Sequence, residues 1–584
     1  MGENLGRAKA ETRGSLNNSE GQGVRSEEFS AVENSEHGKG NSVSPSANLN
    51  TTAYCLLPTA FILLLTVFIV SRLILNVFTP LMDPSESRYA VFAKNMTLTG
   101  NWWSPTYNYQ GVETIFVGKP PLAFQMSMAC CKALGISEFA ARLPAFLSSL
   151  LILWLVWFFV KKWRDSQCAA CAVLLTSCSF LFYMYAGQCM TDLILTATVV
   201  GAIFSYMGFE RELAISNEQL AIDISASQNP LATPYSTAYC LLPTAYSVLF
   251  FVFIALGVLI KGPVAIVMAG LPVFFYVLIN NRWKNLKYHA WIWGTIAFLA
   301  IIVPYYWIVS IKHPDFLQYF IIEENFNRFL FKGSASRFGT ARESFRGVSF
   351  LFFLALNLPT VFLMQLLPSN NRKKMYVWSL FKDPLAGMSA LTCITLTLFW
   401  ALTSRVLITY LLPTIPFFAV FLAVRFRDSG LLAQPGFSKT LNAFVTSWLI
   451  ALPILFAVTV YAAIYHTAEM ASPIIADAVK EIQKDSQLSR RNYYFAELSP
   501  HFAEYYYKSK TQFHVPESVE SSLKNSERDW LFITRSQEQS LGKPIDRKLV
   551  FQKGQWSVYA PIESDIKLKQ RSDAAPPAAI FPEN

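Results

Sequence analysis

The residues from Ala53 to Phe78 read AYCLLPTAFILLLTVFIVSRLILNVF, and this stretch decides the class of fold. A helix needs about 20 predominantly apolar residues to cross the hydrocarbon core of a bilayer, and the stretch is long enough. Further apolar blocks recur as far as about residue 465, among them Ala145–Val160, Trp291–Ile311 and Ala443–Ile464. The sequence therefore predicts a polytopic α-helical membrane protein.

The composition favours the same class. Only 15% of the 584 residues are charged, against about 25% in a soluble domain. The net charge of +10 is compatible with a nucleic-acid-binding protein, but the basic residues lie mostly in short loops between apolar blocks. That placement is typical of the cytoplasmic loops of membrane proteins, so we expect membrane lipids and no nucleic acid as partners.

The apolar blocks predict eleven to thirteen transmembrane helices. Eleven are placed near residues 54–78, 139–160, 168–186, 190–209, 245–261, 263–280, 289–310, 347–367, 387–402, 406–424 and 440–465. With a cytoplasmic N-terminus and eleven spans, four basic loops all face the cytoplasm. These loops cover residues 161–164, 282–287, 372–382 and 425–439. The same orientation puts the C-terminal region on the outer side.

The polar segments predict four regions. Residues 1–50 are polar and are expected to form a disordered cytoplasmic tail. Residues 51–465 form the transmembrane domain, with two outer segments at 83–138 and 312–346. Residues 466–573 are expected to form a small C-terminal α/β domain, followed by a flexible tail at 574–584. Its strands are predicted at Asn492–Ala496, Trp530–Thr534, Lys548–Phe551 and Trp556–Tyr559.

Three isolated charges stand within long apolar stretches: Asp192, Lys261 and Arg405. A charge at membrane depth costs roughly 3 kcal/mol, so such residues usually serve a site, although a residue at a helix end can also snorkel to water. In the predicted orientation all three lie at outer ends. The outer side also carries Asp83, Glu86, Arg88 and Lys119.

A mostly basic cluster with a few carboxylates suits a phosphorylated lipid. Lysine and arginine bind phosphate, and a carboxylate can act as general base on an acceptor hydroxyl. Structural interpretations stay open beside this one. Glu86 and Arg88 could form a local ion pair, and Glu323 and Arg328 could shape the second outer segment. The aromatic residues of the first outer segment could form an interfacial belt or stack on a sugar; they are Trp102, Trp103, Tyr107 and Tyr109.

The stretch Asp83-Pro-Ser-Glu-Ser-Arg-Tyr-Ala90 resembles the first outer loop of a known family. This family is the GT-C glycosyltransferases of the lipid A 4-amino-4-deoxy-L-arabinose transferase and protein mannosyltransferase type. The similarity continues through Gly100-Asn-Trp102, Lys119-Pro-Pro-Leu122 and Gly135-Ile-Ser-Glu-Phe-Ala-Ala-Arg-Leu-Pro144. Later matches are Gln188 with Asp192, Lys261-Gly-Pro263, Phe320–Phe329 and Ser404-Arg405 through Tyr410-Leu-Leu-Pro413. The matches cover about residues 75–425.

The resemblance implies an inverting transfer of a sugar from a polyprenyl (undecaprenyl) phosphate donor to lipid A or another envelope glycan. It implies a monomer in the bacterial inner membrane whose active site faces the periplasm. Asp83 and Asp192 would be the catalytic acids, with Asp83 nearest the anomeric carbon. The donor phosphate would be bound by Arg88, Lys119, Lys261 and Arg405, with Glu86, Tyr89 and Tyr410 in supporting roles.

Two positions depart from the family pattern. Many members carry Glu before the Lys-Pro-Pro sequence and His in the second outer segment, where this chain has Gly118 and Glu324. Those two residue types are plausible ligands for a divalent metal. Their absence argues against a bound cation such as zinc, so we expect no cofactor, with a divalent cation as the open alternative, and it leaves the acceptor open.

Two alternatives to this function stay open. Within the enzyme class, the chain could act as a protein O-mannosyltransferase. From a different class, it could be a flippase or transporter of polyprenyl-linked sugars, although a transporter would distribute polar groups nearer the membrane midplane and show repeat symmetry.

Overall fold

The computed structural model describes residues 49–82, 85–109, 112–226, 237–331, 344–363, 381 and 383–466, together with short segments between 478 and 561. The chain divides into two units, Met1–Thr52 and Ala53–Asn584; of the first unit, only the start of a helix from Leu49 is described. The predicted tails, up to residue 48 and from residue 574, lie outside the described residues. So does Asp83, the first predicted catalytic acid.

The described part of the transmembrane domain is helical, with one small hairpin. Its α-helices are α1 (Leu49–Phe78), α2 (Ser85–Thr99), α3 (Leu122–Leu134), α4 (Glu138–Trp163), α5 (Ser166–Ser177), α6 (Phe180–Tyr185), α7 (Thr191–Ala226), α8 (Thr237–Lys261), α9 (Val264–Ile279), α10 (Trp291–Lys312), α11 (Arg328–Leu330), α12 (Val348–Leu356), α13 (Leu358–Leu363), α14 (Pro384–Ala401), α15 (Thr414–Asp428) and α16 (Pro435–His466). A π-helix covers Gln318–Asn327, and 3₁₀ turns cover Trp283–Tyr288, Ile408–Leu411 and Leu431–Ala433.

Seven helices in the described part of the chain are long and apolar enough to cross a bilayer, namely α1, α4, α7, α8, α10, α14 and α16. They coincide with seven of the eleven spans placed from the sequence. The other four fall on shorter helices, which are α5 with α6, α9, α12 with α13, and α15. The predicted class, a polytopic helical protein, is confirmed. Helix α7 is the central helix of the transmembrane domain, because the apolar part of α7 is entirely buried.

The predicted segment 83–138 contains two helices, α2 and α3, joined through an antiparallel hairpin. Its strands are β1 (Thr106–Tyr109) and β2 (Val112–Ile115). Aromatic rings hold these pieces together: Phe92 stacks on Phe116 with ring centroids 4.5 Å apart, and Tyr107 is buried against Phe92. Tyr107 is therefore a core residue and belongs neither to an interfacial belt nor to a sugar platform.

The turn between α3 and α4 follows directly from the sequence Gly-Ile-Ser-Glu. Gly135 ends α3 with φ +83°, a left-handed conformation that glycine adopts without strain. The Ser137 hydroxyl then accepts a hydrogen bond from the Ala140 N–H at 3.2 Å and caps α4. This cap fixes where the first turns of α4 begin, and Arg142 lies in them.

The C-terminal region forms a five-stranded mixed sheet in the order β4-β3-β5-β7-β6. Its strands are β3 (Tyr493–Phe495), β4 (Phe513–His514), β5 (Trp530–Thr534), β6 (Arg547–Lys553) and β7 (Trp556–Pro561). The four predicted strands are β3, β5, β6 and β7; β4 was not predicted. Trp530 and Trp556 are buried in the same apolar cluster as Phe92 of α2. The Lys94 ammonium of α2 also donates to the backbone carbonyls of Glu504 and Tyr505 at 2.6 and 2.8 Å.

Candidate active site

A cavity of about 370 Å³ lies beside the turn between α8 and α9. Its wall is mainly apolar and includes Val264, Val267, Phe320, Phe329, Phe399 and Trp400. Four cationic side chains also line it, Lys119, Lys261, Arg328 and Arg405, together with Tyr410 and the carboxylate of Glu324. Three of the four predicted phosphate-binding residues therefore meet at one cavity.

The Lys261-Gly-Pro sequence places one cation at this cavity. Lys261 is the last residue of α8, and Gly262 reverses the chain with φ +90° before α9 begins at Val264. A Cβ atom at Gly262 would lie 2.5 Å from the ring of Phe320, so this position needs glycine for space as well as for conformation.

Lys261 is held by the second predicted acid. Its ammonium donates to the Asp192 carboxylate at 2.6 Å and lies 4.0 Å from the centroid of the Tyr410 ring. Both charged side chains are largely buried, with 11% and 4% exposed. Asp192 and Tyr410 thus orient Lys261 from two sides, one by an ion pair and the other by a cation–π contact.

Lys119 reaches the cavity from the predicted outer segment. Its ammonium donates to the Tyr89 hydroxyl and, at 3.2 Å, to the Thr191 hydroxyl. Burial alone would lower the pKa of Lys119, but the neighbouring Tyr89 hydroxyl and the Asp192 carboxylate raise it above its ordinary value. These neighbours favour the charged form of Lys119. Arg88 is not among the cavity-lining residues; its guanidinium lies 5.5 Å from the centroid of the Tyr89 ring.

Arg328 is a cavity residue that the sequence reading assigned only to loop shape. Its guanidinium donates to the Glu324 carboxylate at 2.8 Å, and the other oxygen of Glu324 accepts from the Tyr319 hydroxyl at 2.8 Å. Glu324 lies in the π-helix, Arg328 begins α11 directly after it, and both line the cavity. The available signal was an arginine four residues after a glutamate in a Phe-rich segment, but nothing in that spacing distinguishes a cavity residue from a surface ion pair.

The chain is similar to several known proteins. The family model for dolichyl-phosphate-mannose-protein mannosyltransferase matches residues 118–214. The undecaprenyl phosphate-alpha-4-amino-4-deoxy-L-arabinose arabinosyl transferase 1 of Proteus mirabilis (strain HI4320) is 28% identical over 272 residues, which cover 45% of this chain and 44% of the relative. The corresponding transferase of Aeromonas salmonicida (strain A449) is 24% identical, with 63% and 59% covered. The chain thus spans about half the length of these curated relatives.

Among solved structures, ArnT from Cupriavidus metallidurans bound to undecaprenyl phosphate is 17% identical in sequence. It superposes with a TM-score of 0.66 over 88% of this chain and 99% of that chain. The resemblance to the GT-C glycosyltransferases is confirmed. At this sequence identity, the structural likeness shows the GT-C fold.

Glu86, predicted to support the site, is buried and is not one of the residues that line the cavity. It forms a bidentate ion pair with Arg142 of α4, with N–O distances of 2.8 and 3.2 Å, and both side chains are 2% exposed. Its partner is therefore in another helix, contrary to the local pair with Arg88 that was considered as an alternative.

The aromatic residues of the predicted first outer segment lie in different environments. Trp102 is 41% exposed and stacks under the Lys132 ammonium at 5.0 Å. Trp103 packs against the apolar cluster that contains Phe316 and Phe320. The side chain of Tyr109 lies outside the described residues. Neither Trp102 nor Trp103 lines the cavity.

Two positions of the cavity wall bear on metal binding. Gly118 contributes no side chain to the cavity wall, and both oxygens of Glu324 already accept hydrogen bonds. Within the described residues, no three His, Cys, Asp or Glu side chains converge as a metal site requires.

Proposed function

We propose that this chain is an inverting glycosyltransferase that moves a sugar from a polyprenyl-phosphate donor to lipid A or another envelope glycan. The observation that carries the proposal is the cavity itself. It combines an apolar wall with four cations, and a polyprenyl phosphate presents the matching apolar chain and anionic head.

The cavity cations would bind the donor phosphate and stabilise it as the leaving group. When the acceptor oxygen attacks the anomeric carbon, the bond from that carbon to the phosphate oxygen breaks and negative charge grows on the phosphate. Lys119 and Lys261 are already fixed by Tyr89 and Asp192. Cations held in place before the reaction stabilise this charge without reorganisation.

Asp192 would orient Lys261, while Asp83 would lie nearest the anomeric carbon, as the general base or as an orienting acid. An acceptor hydroxyl must lose its proton to such a base. A phosphate acceptor, as on lipid A, is already ionised near neutral pH, so Asp83 would then only orient it.

We also propose that transfer needs no divalent cation. The cations of the cavity can neutralise the donor phosphate, and the positions where relatives offer Glu and His hold Gly118 and Glu324. Transfer that persists undiminished in an excess of EDTA would agree with this proposal, and transfer restored only by added Zn²⁺ or Mg²⁺ would contradict it.

The four basic loops support a cytoplasmic N-terminus, an active site and C-terminal domain in the periplasm, and a place in the bacterial inner membrane. Labelling a cysteine introduced in place of Trp102 with a membrane-impermeant maleimide tests this orientation. Labelling from the periplasmic side of intact cells is expected, because Trp102 is 41% exposed.

The names of the relatives suggest the donor to test first. The matched transferases are named for undecaprenyl phosphate-aminoarabinose, whereas the matched family model is described for protein mannosyl transfer. A protein acceptor is therefore the second candidate. A flippase would move the lipid-linked sugar across the bilayer without transferring it.

The test is transfer by the purified full-length protein in lipid nanodiscs, with radiolabelled undecaprenyl-phosphate sugars as donors and either lipid A or a Ser/Thr-rich peptide as acceptor. We expect label on lipid A and a loss of about 100-fold or more in Asp83→Asn and Asp192→Asn. Label on the peptide would favour the mannosyltransferase. Undiminished transfer by both variants would contradict the catalytic assignment, and movement of donor across vesicle membranes without transfer would favour the flippase.

A further inference from the structure

Arg142 joins α4 to the end of α1. Its guanidinium donates to the backbone carbonyls of Asn76, Thr79 and Pro80 at 3.1, 2.5 and 2.8 Å. The carbonyls at a helix C-terminus have no partner within the helix, and here one arginine satisfies those of Asn76 and the two residues that lead out of α1. The chain is therefore held rigidly as it approaches Met82, the last described residue before Asp83.

Glu86 extends this network in two directions. One carboxylate oxygen accepts from the Arg142 Nε at 2.8 Å and from the backbone N–H of Cys189 at 3.1 Å. The other accepts from an Arg142 Nη at 3.2 Å and from the backbone N–H of Met82 at 2.8 Å. Cys189 stands three residues before Asp192, at the entry to α7.

We propose that the buried Arg142–Glu86 pair is a positioning device that fixes the segment before Asp83 and the segment before Asp192 relative to each other. This inference rests on the proposed function, because it assigns the two acids to one reaction. Arg142 and Glu86 are not among the residues that line the cavity. They act through the backbone and are positioning residues.

The chemistry of the pair favours this role over general stabilisation. Burying an ion pair costs the hydration energy of two charges, a cost that an apolar pair of similar volume does not have, so it is a poor means of stabilising a fold. A buried network whose donors and acceptors are all matched instead holds a single geometry. Here the matched groups are backbone atoms on either side of the proposed site.

The experiment compares Glu86→Gln with Glu212→Gln in the full-length protein. Glu212 is a matched control, since it is also buried and ion-paired, with Lys162 at 2.7 Å, but it lies on the later part of α7. Hydrogen–deuterium exchange is measured in residues 76–91 and 186–192, alongside kcat and the donor KM. Displacing a reacting group by about 1 Å can cost about 100-fold in rate.

For Glu86→Gln we expect faster exchange in both segments, a fall in kcat of about 100-fold, and a donor KM within about threefold of the native value, since the cavity cations are unchanged. Glu212→Gln should leave these quantities as they are. Exchange that stays native in either segment, or that rises equally in all helices, would overturn the inference.

A second variant covers the case in which Glu86→Gln does not fold. Arg142→Lys keeps the charge but loses the fork that reaches three carbonyls, so exchange should rise first in residues 76–82. Unchanged exchange there would also overturn the inference. If the native protein transfers no sugar to any acceptor, the proposed function fails, while the exchange measurements still decide whether the pair positions the two segments.

Discussion

Helix α7 carries buried acids near both ends of its apolar part, and their surroundings differ. Asp192 lies at the first turn, and Glu210 lies 18 residues later, about 27 Å along the axis at 1.5 Å per residue. Asp192 has a lysine partner, and further cations gather beside it at a cavity. Glu210 instead accepts from the Tyr206 hydroxyl and the Asn285 amide, both at 2.7 Å.

The polar groups near Glu210 form hydrogen bonds with one another. The Ser247 hydroxyl accepts the Ala290 N–H at 2.7 Å and lies 2.6 Å from the His289 Nδ1. At the Asp192 end, the described residues of the cavity wall include four cations and a single carboxylate, that of Glu324. A matched cluster holds helices together, whereas an excess of one charge beside a cavity leaves capacity for a ligand of opposite charge.

The largest expected effect comes from removing a lysine at each end. Lys261→Met removes a cation from the cavity and leaves Asp192 without its ion pair, so we expect transfer to fall by about 10²–10³-fold. Lys162→Met removes one of the two cationic partners of Glu212 at the other end, since Arg211 also pairs with it. We expect transfer within about threefold of native, because no reacting group is near. Initial rates of radiolabel transfer measure both.

Equal losses in the two lysine variants would break the comparison, since the difference between the ends would then carry no functional meaning. A thermal-melting measurement in detergent serves as the control. Loss of transfer in Lys261→Met supports the comparison only if most of the protein remains folded at the assay temperature.

The Asp192 end could be predicted from sequence because its charges are isolated. Lys261, Arg405 and Asp192 each stand alone in long apolar stretches, and a charge is costly at that depth. Arg328 could not be found in this way. It lies near other charges in a Phe-rich segment, where the π-helix ends and α11 begins, and only the folded structure shows it at the cavity with Glu324.

The same limit applies to the fold. Long apolar runs predict α1, α4 and α7 well, because composition alone decides whether a segment can lie in lipid. It does not decide where a buried helix breaks. The predicted span 168–186 is divided between α5 and α6 at Ser179, whose hydroxyl caps α6 and donates to the Leu356 carbonyl, a contact 177 residues away in the chain.

The next effect sharpens the comparison at the cavity. Arg328→Gln removes one of four cations but leaves the other three, so we expect the donor KM to rise by about tenfold, which corresponds to about 1.4 kcal/mol of binding. Arg328→Lys should recover part of the affinity, since the charge returns without the fork. Initial rates at varied donor concentration measure the KM, and titration with undecaprenyl phosphate as a competitor measures the affinity for the phosphate. An unchanged KM in Arg328→Gln would show that Arg328 does not bind the donor.

A smaller effect, on stability, is expected at the other end of α7. Burial lowers the pKa of His289 to about 4, whereas an unfolded histidine titrates near 6.5. Between these values the unfolded chain binds a proton that the folded protein does not. Stability should therefore fall as pH is lowered from about 6.5 to about 4, by up to about 1.4 kcal/mol per pH unit, and should not change above that window through this group.

Melting temperatures across that pH range measure the slope, and His289→Phe should reduce it. Phenylalanine fits the aromatic surroundings of His289, which include Phe209 at a centroid distance of 4.6 Å. Transfer at neutral pH should stay near native in this variant. A slope that His289→Phe leaves unaltered would mean that another group causes the pH dependence.

The smallest effect is expected at an ion pair that is exposed to solvent. Arg427 pairs with Asp165, and the two side chains are 42% and 40% exposed. Water screens such a pair, so Arg427→Gln should change the free energy of unfolding by less than about 1 kcal/mol and leave transfer unaltered. Chemical denaturation in detergent measures the first quantity and radiolabel transfer the second. A large loss of transfer would show that matched, exposed charges can matter as much as the unmatched cations of the cavity, and the contrast between the two ends of α7 would then no longer identify the site.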